Sequence, residues 1–168
     1  MTQASSLEFV HLGRGALAVT HRPKVKLLPA MRAAGVTHLV TLLSRREGAL
    51  MVGTAAKAAG LEWIWVEIAN GRQPPPACRH EIVAALTMLA ELLDDGAEVV
   101  IHCSAGIHRT GMFTYALLRT CGLDPDESMD VLARLRAATA AGVGAERLAW
   151  TEQLSKAARD RLDNPPQH

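Results

Sequence analysis

Residues 98–121 read EVVIHCSAGIHRTGMFTYALLRTC. The stretch opens on a short apolar and β-branched run, Glu98–His102, with the length and composition of a buried strand. A loop with a glycine at Gly106 follows. From Arg109 to Cys121 the apolar residues recur at helical spacing. One strand running through a tight loop into one helix is the unit from which the rest of the chain can be read.

Upstream, strand-like runs occur at Leu7–Leu12, Ala16–Thr20, Thr37–Leu43 and Leu61–Ile68, with helical patterns near Val25–Ala34, Ala49–Ala59 and Arg79–Leu93 between them. Gly35, Gly60 and Gly96 each follow a helical run, where a left-handed stop favours glycine. Downstream the pattern is helical throughout, with Asp124–Ala138 and Ala145–Leu162 following Arg109–Cys121. Asp124-Pro125 is a helix start, Asp as cap and Pro in the first turn. Alternating elements predict an α/β fold: a mostly parallel sheet of about four to five strands, helices on both faces, and an all-helical C-terminal third. One domain is expected over residues 1–163, with 164–168 a frayed tail. In such sheets sites form beyond the carboxyl ends of strands. Ser44-Arg45-Arg46, Ala69–Pro76 and Cys103–Arg109 should emerge there.

The loop solves a chemical problem. A phosphate dianion needs several donors, and a loop running into a helix N-terminus offers backbone N–H groups and the positive end of the helix dipole. The backbone of Ser104, Ala105, Gly106, Ile107, His108 and Arg109 is the expected cradle. Arg109 adds a planar fork able to hold two phosphate oxygens. The same positive surroundings favour a thiolate at Cys103, and a thiolate is a competent nucleophile near neutral pH.

A bare Cys-x5-Arg pattern arises by chance in roughly one chain in ten of this length, so the context decides. His102 precedes the cysteine, Gly106 permits close backbone approach, and Thr110-Gly111 follow the arginine. The decapeptide HCSAGIHRTG resembles the signature loop of the protein-tyrosine and dual-specificity phosphatase superfamily, with His108 where glycine is usual. GVTHLVTLLSRREG is similar to the strand and loop that precede the active site in its small members. The resemblance implies a dual-specificity phosphatase-like fold and a phosphatase acting on monoesters through a phosphocysteine. It implies Cys103 as nucleophile, Arg109 as clamp, and Thr110 as a hydroxyl that helps the cysteine leave. It calls for no metal or organic cofactor; the partner is a phosphorylated substrate, a phosphoprotein or a nucleotide or RNA end.

Relatives of this kind carry an aspartate acid a few dozen residues before the cysteine, and this chain has none before Asp94. Asp94 and Asp95 end a helix and should lie at the far edge of the sheet, about 15–20 Å from the nucleophile. Asn70 stands near the acid's expected position but cannot deliver a proton at neutral pH. Glu67 can, if the strand end turns it inward. Relatives that cleave phosphoanhydrides, such as RNA 5′-triphosphatases, manage without the acid. Besides the monoester phosphatase, two rival readings are a phosphatase of RNA ends, nucleotides or anhydrides, and a feebly active phosphate-binding module; a rhodanese-like sulfur carrier fits the Gly106 and Arg109-Thr110-Gly111 spacing less well.

Other residues are weighed against ordinary roles. Arg45 and Arg46 are either solvated or substrate-contacting. His102 is expected to be structural, His108 either solvent-facing or in contact with substrate, and Cys78 and Cys121 inert. Of Trp63 and Trp65, one is expected to pack inward and the other to lie beneath a helix. The composition is that of a soluble globular chain, 49% hydrophobic and 21% charged, with a net charge of +1. Nothing in that balance asks for nucleic acid or a membrane. Three widely spaced cysteines argue against a disulfide framework, and no signal-like or membrane-spanning run is evident, so a reduced, cytoplasmic setting is expected.

Overall fold

The computed structural model describes residues 6–70 and 73–167. Five strands, β1 (Val10–Leu12), β2 (Gly15–Thr20), β3 (His38–Thr41), β4 (Glu62–Trp65) and β5 (Glu98–His102), form one sheet in the order β1-β2-β5-β3-β4. Only β1 runs antiparallel, in a hairpin with β2; the other pairs are parallel. The helices are α1 (Leu28–Ala33), α2 (Ala49–Ala58), α3 (Arg79–Asp94), α4 (His108–Thr120), α5 (Pro125–Leu135), α6 (Ala137–Gly142) and α7 (Ala145–Asp163). No helix among the described residues is long and apolar enough to cross a membrane.

The sheet's period of two sorts its side chains into two cores. Ala18, Leu39 and Val100 point to the face covered by α1 and α2, where they meet Leu28, Val52 and Ala56. Their neighbours Leu17, Val19, Val40, Val99 and Ile101 point the other way, into a larger core with α3, α4, α5 and α7. Strands buried on both faces read as unbroken apolar runs, which is what the sequence presents. The register aligns Thr20, His102, Thr41 and Trp65 in one row across the carboxyl edge. The functional segments all emerge just beyond that row.

Most element boundaries fall where the periodicity places them, and Gly35, Gly60 and Gly96 have φ of +109°, +82° and +101°. Three expectations need correction. The run Val25–Ala34 is not one helix: a 3₁₀ turn, Val25–Leu27, precedes α1. Pro29 has no N–H to give the Val25 carbonyl, so that carbonyl is taken instead by Leu28 N–H, one residue tighter. The run Asp124–Ala138 breaks at Arg136, whose φ of −166° and ψ of 111° are extended, and α6 begins anew at Ala137. Lastly, Trp63 and Trp65 share a face, as residues two apart in a strand must. Their rings stack at 5.7 Å with a 16° interplanar angle, and both pack against the smaller core.

Candidate active site

Cys103 directly follows β5 and is 3% exposed. Its Sγ accepts the Gly106 N–H at 3.3 Å and the Thr110 hydroxyl at 3.1 Å, so two donors from one loop and one helix converge on sulfur. The loop's shape follows from where its carbonyls go. Ser104 O accepts the Arg22 N–H at 2.9 Å, and Ala105 O accepts Arg136 Nη1 at 2.9 Å. Gly106 O accepts both Arg136 Nη1 at 2.8 Å and Thr139 Oγ1 at 2.5 Å. A planar trans peptide directs its N–H opposite to its C=O. Three consecutive carbonyls tied outward therefore turn the N–H groups of Ala105, Gly106 and Ile107 inward, beside the N-terminus of α4. Such an inward row of backbone donors has the geometry to hold an anion.

Gly106 is the one residue type that fits its position. Its φ is +71°, and an added Cβ would collide with the Thr20 carbonyl group and the His21 nitrogen at the end of β2. The loop is thus pressed against the neighbouring strand, which fixes its height above the sheet.

Arg109, in the first turn of α4, is 4% exposed. Its Nη1 donates to Glu47 Oε2 at 2.7 Å and to the Ile68 carbonyl at 2.9 Å; its Nη2 donates to Glu47 Oε1 at 2.8 Å and to Ser104 Oγ at 3.0 Å. Ser104 Oγ in turn donates to Glu47 Oε1 at 3.1 Å. The hydrogen bond from Arg109 holds the Glu47 carboxyl at about 2, against the opposing effect of burial. Burial alone would lower the Arg109 pKa, but Glu47, with a smaller part from Cys103, outweighs it and raises the group.

Glu47 was not among the expected site residues. Two signals carry it: it completes a capping box with Ser44, whose N–H it accepts at 2.8 Å, and it is the one acidic residue between Glu8 and Glu62. Arg22, Arg136 and Thr139 were also missed. The break at Arg136 has no glycine or proline to announce it.

His102 is fully buried and belongs to a chain of hydrogen bonds. Trp63 Nε1 donates to Thr41 Oγ1 at 2.8 Å, Thr41 Oγ1 donates to His102 Nε2 at 2.8 Å, and His102 Nδ1 donates to the Cys103 carbonyl at 3.1 Å. A carbonyl can only accept, so Nδ1 carries a proton. Burial pushes its pKa down to about 4, with the charges of Arg22 and Arg109 adding to the effect. The structural role expected of His102 fits this placement.

The other expected residues lie as follows. His108 is exposed at the start of α4. Arg45 lies over the Trp65 ring at 5.8 Å, and Arg46 is exposed beside it. Glu67 is exposed, and its Oε1 accepts the Arg45 N–H at 2.8 Å. Asn70 is exposed in the turn beyond the β4 strand end, and the two residues after it lie outside the described chain. Asp94 and Asp95 meet Arg14 of the β1–β2 hairpin, at the edge of the sheet opposite Cys103.

A family model described as the tyrosine phosphatase family matches residues 28–159. The chain belongs to the tyrosine phosphatase family. The protein is accordingly a cysteine-dependent phosphatase. Solved phosphatase structures share its fold. A kinase-associated phosphatase with its catalytic cysteine replaced by serine superposes with a TM-score of 0.71 at 18% identity, over 98% of this chain and 100% of that one. Tk-PTP in its active form gives 0.68 at 22% identity, over 95% and 99%. The core catalytic domain of the PP-IP phosphatase SIW14 from S. cerevisiae, in complex with citrate, gives 0.63 at 17% identity, over 96% of each chain. No curated protein matches the sequence.

Proposed function

We propose that the protein hydrolyses aryl phosphate monoesters of the phosphotyrosine type, by attack of Cys103 on phosphorus, expulsion of the phenolate, and hydrolysis of the phosphocysteine by water. In this reading the backbone from Ser104 to Arg109 and the Arg109 guanidinium hold the phosphoryl oxygens, and Thr110 donates its hydroxyl to the departing sulfur in the second step. Glu47 keeps Arg109 in place. The residues expected to shape the leaving-group side are Glu67 and Asn70.

The observation that carries the reading is the convergence of Gly106 N–H and Thr110 Oγ1 on Cys103 Sγ beneath an inward-facing row of amides. A phosphate-binding module needs a cradle but has no use for donors aimed at a sulfur. The choice of leaving group rests on the acids. Glu47 is consumed by Arg109 and Glu67 holds the Arg45 backbone, while Asn70, expected from the sequence near the acid's place, is an amide. A phenolate, whose conjugate acid has a pKa of about 10, leaves without much help; the alkoxide of serine or threonine does not. The same argument admits a phosphoanhydride, whose leaving phosphate is better still, and SIW14, which shares the fold, is described as a PP-IP phosphatase.

The test is a comparison of kcat/KM on a phosphotyrosine peptide, the matching phosphoserine peptide, and a nucleoside triphosphate. The reading predicts a phosphotyrosine advantage over phosphoserine of the order a missing general acid imposes, about 10²-fold or more. Equal rates on the two peptides would refute it, and a triphosphate preferred over phosphotyrosine would shift the assignment to anhydrides.

A further inference from the structure

The net charge of +1 averages two regions of opposite sign. Of the chain's 18 Lys and Arg and 17 Asp and Glu, eight and one fall between Phe9 and Leu61, leaving ten against sixteen elsewhere. The one acid, Glu47, is locked to Arg109. The fold gathers most of these cations on one layer: Lys24 precedes the Val25–Leu27 turn and Lys26 lies within it, Arg32 lies in α1, Arg45 and Arg46 precede α2, and Lys57 lies within α2.

Exposed apolar side chains lie among them. Four of the five large hydrophobic residues exposed among the described residues are here: Val25 at 39%, Leu27 at 38%, Leu50 at 43% and Met51 at 59%. The Val25–Leu27 turn packs against α2, and α2 turns Ala49, Val52 and Ala56 into the core, so Leu50 and Met51 are left on its outer side. Both segments start at the mouth of the active site. Arg22, which precedes the turn, donates its N–H to Ser104 O and its Nη1 to Glu47 O, and its guanidinium lies against Gly48 at the start of α2.

We propose that this α1–α2 face docks on an anionic phospholipid bilayer, with Val25, Leu27, Leu50 and Met51 entering the headgroup boundary and the cations around them meeting lipid phosphates. The face complements an anionic surface in charge, and its apolar side chains interleave with the cations. In Lys24-Val25-Lys26-Leu27 charged and apolar residues alternate, and Arg45 and Arg46 stand just before Leu50 and Met51. Cations interleaved with exposed apolar side chains are the two features by which a surface segment settles into the headgroup boundary of an anionic bilayer. Each cation near an anionic membrane strengthens binding roughly fivefold, and the gain is screened by salt.

The experiment is sedimentation with phosphatidylcholine vesicles, with and without phosphatidylserine, at low and high salt. It uses the unaltered protein, Lys24→Glu/Lys26→Glu and Leu27→Glu/Met51→Glu. The proposal predicts binding only to the phosphatidylserine vesicles, weakened by salt. It predicts a loss on the order of 10²-fold in the lysine variant and tenfold or more in the apolar variant. Both should turn over p-nitrophenyl phosphate at the unaltered rate, which shows that they fold and keeps this test separate from the proposed chemistry. No binding to phosphatidylserine vesicles overturns the proposal. Loss in the lysine variant alone would point to an acidic macromolecule, and self-association abolished by Leu27→Glu/Met51→Glu to a second copy of the chain; either result also overturns it.

Discussion

The carboxylate of Glu47 grips both terminal nitrogens of Arg109, at 2.7 and 2.8 Å, and so aims a buried guanidinium from outside the loop that carries it. Glu47→Gln keeps the shape but removes the charge. It should lower kcat/KM on p-nitrophenyl phosphate by about tenfold or more, as for loss of a group that positions a catalytic neighbour. The pH dependence has a definite sign. The folded carboxyl lies at about 2 against an ordinary 4.5, so the pair contributes fully above about pH 4.5 and fades as pH falls toward 2. An activity limb above pH 5 that vanishes in Glu47→Gln would contradict this.

Arg109→Lys retains the positive charge and loses the fork. Turnover should fall by about 10²-fold or more, the usual cost of removing a preorganised transition-state donor. Steady-state kinetics on p-nitrophenyl phosphate checks it; a change of the size seen at a surface arginine would mean that Arg109 serves only Glu47.

His102 makes stability depend on pH in a window of its own. Its folded pKa of about 4 lies below the ordinary 6.5, so its contribution is complete above about pH 6.5 and lost as pH falls toward 4. The full loss is on the order of 3 kcal/mol. Urea unfolding at about pH 7.5 and about pH 5 should show the native protein weakened at the lower pH, and His102→Gln should show a smaller difference. Equal slopes in the two proteins would remove His102 as the cause.

Asn70→Asp supplies a carboxyl where the loop carries an amide. Activity on an alkyl phosphate should rise at mildly acidic pH, while activity on p-nitrophenyl phosphate, whose leaving group needs little protonation, should change little. No gain with an intact fold would mean that the 69–76 segment does not overhang Cys103. Glu67→Gln, by contrast, should slow both substrates alike if its role is to hold the Arg45 backbone.

Arg136→Ala frees the carbonyl of Ala105 and leaves that of Gly106 to Thr139 alone. The inward amides are then held less firmly, so KM for p-nitrophenyl phosphate and the inhibition constant of vanadate should rise together, by about tenfold, while the urea midpoint moves little. A fall in stability with an unchanged vanadate constant would make Arg136 a packing residue only.

The sequence was most informative where one local rule acts alone. Buried parallel strands appear as apolar runs, helix stops appear as Gly35, Gly60 and Gly96, and the cradle appears as a strand, a loop with Gly106, and a helix. It was silent where partners lie far apart in the chain. Glu47 and Arg109 are 62 residues apart, and nothing local marks Glu47 except its capping box and its isolation among cations. Arg136 sits in a run that reads as unbroken helix; the break is made by tertiary contacts to Ala105 and Gly106, which no propensity records. The Trp63–Trp65 stack is legible in principle from the strand period, which puts residues two apart on one face. The basic layer of α1 and α2 disappeared into a whole-chain charge near zero.

The central claim is that Cys103 carries the phosphoryl group, and Cys103→Ser tests it most directly. The backbone cradle, Arg109 and Glu47 remain in that variant, so vanadate should still bind while turnover of p-nitrophenyl phosphate is abolished. Near-normal turnover by Cys103→Ser would contradict the account.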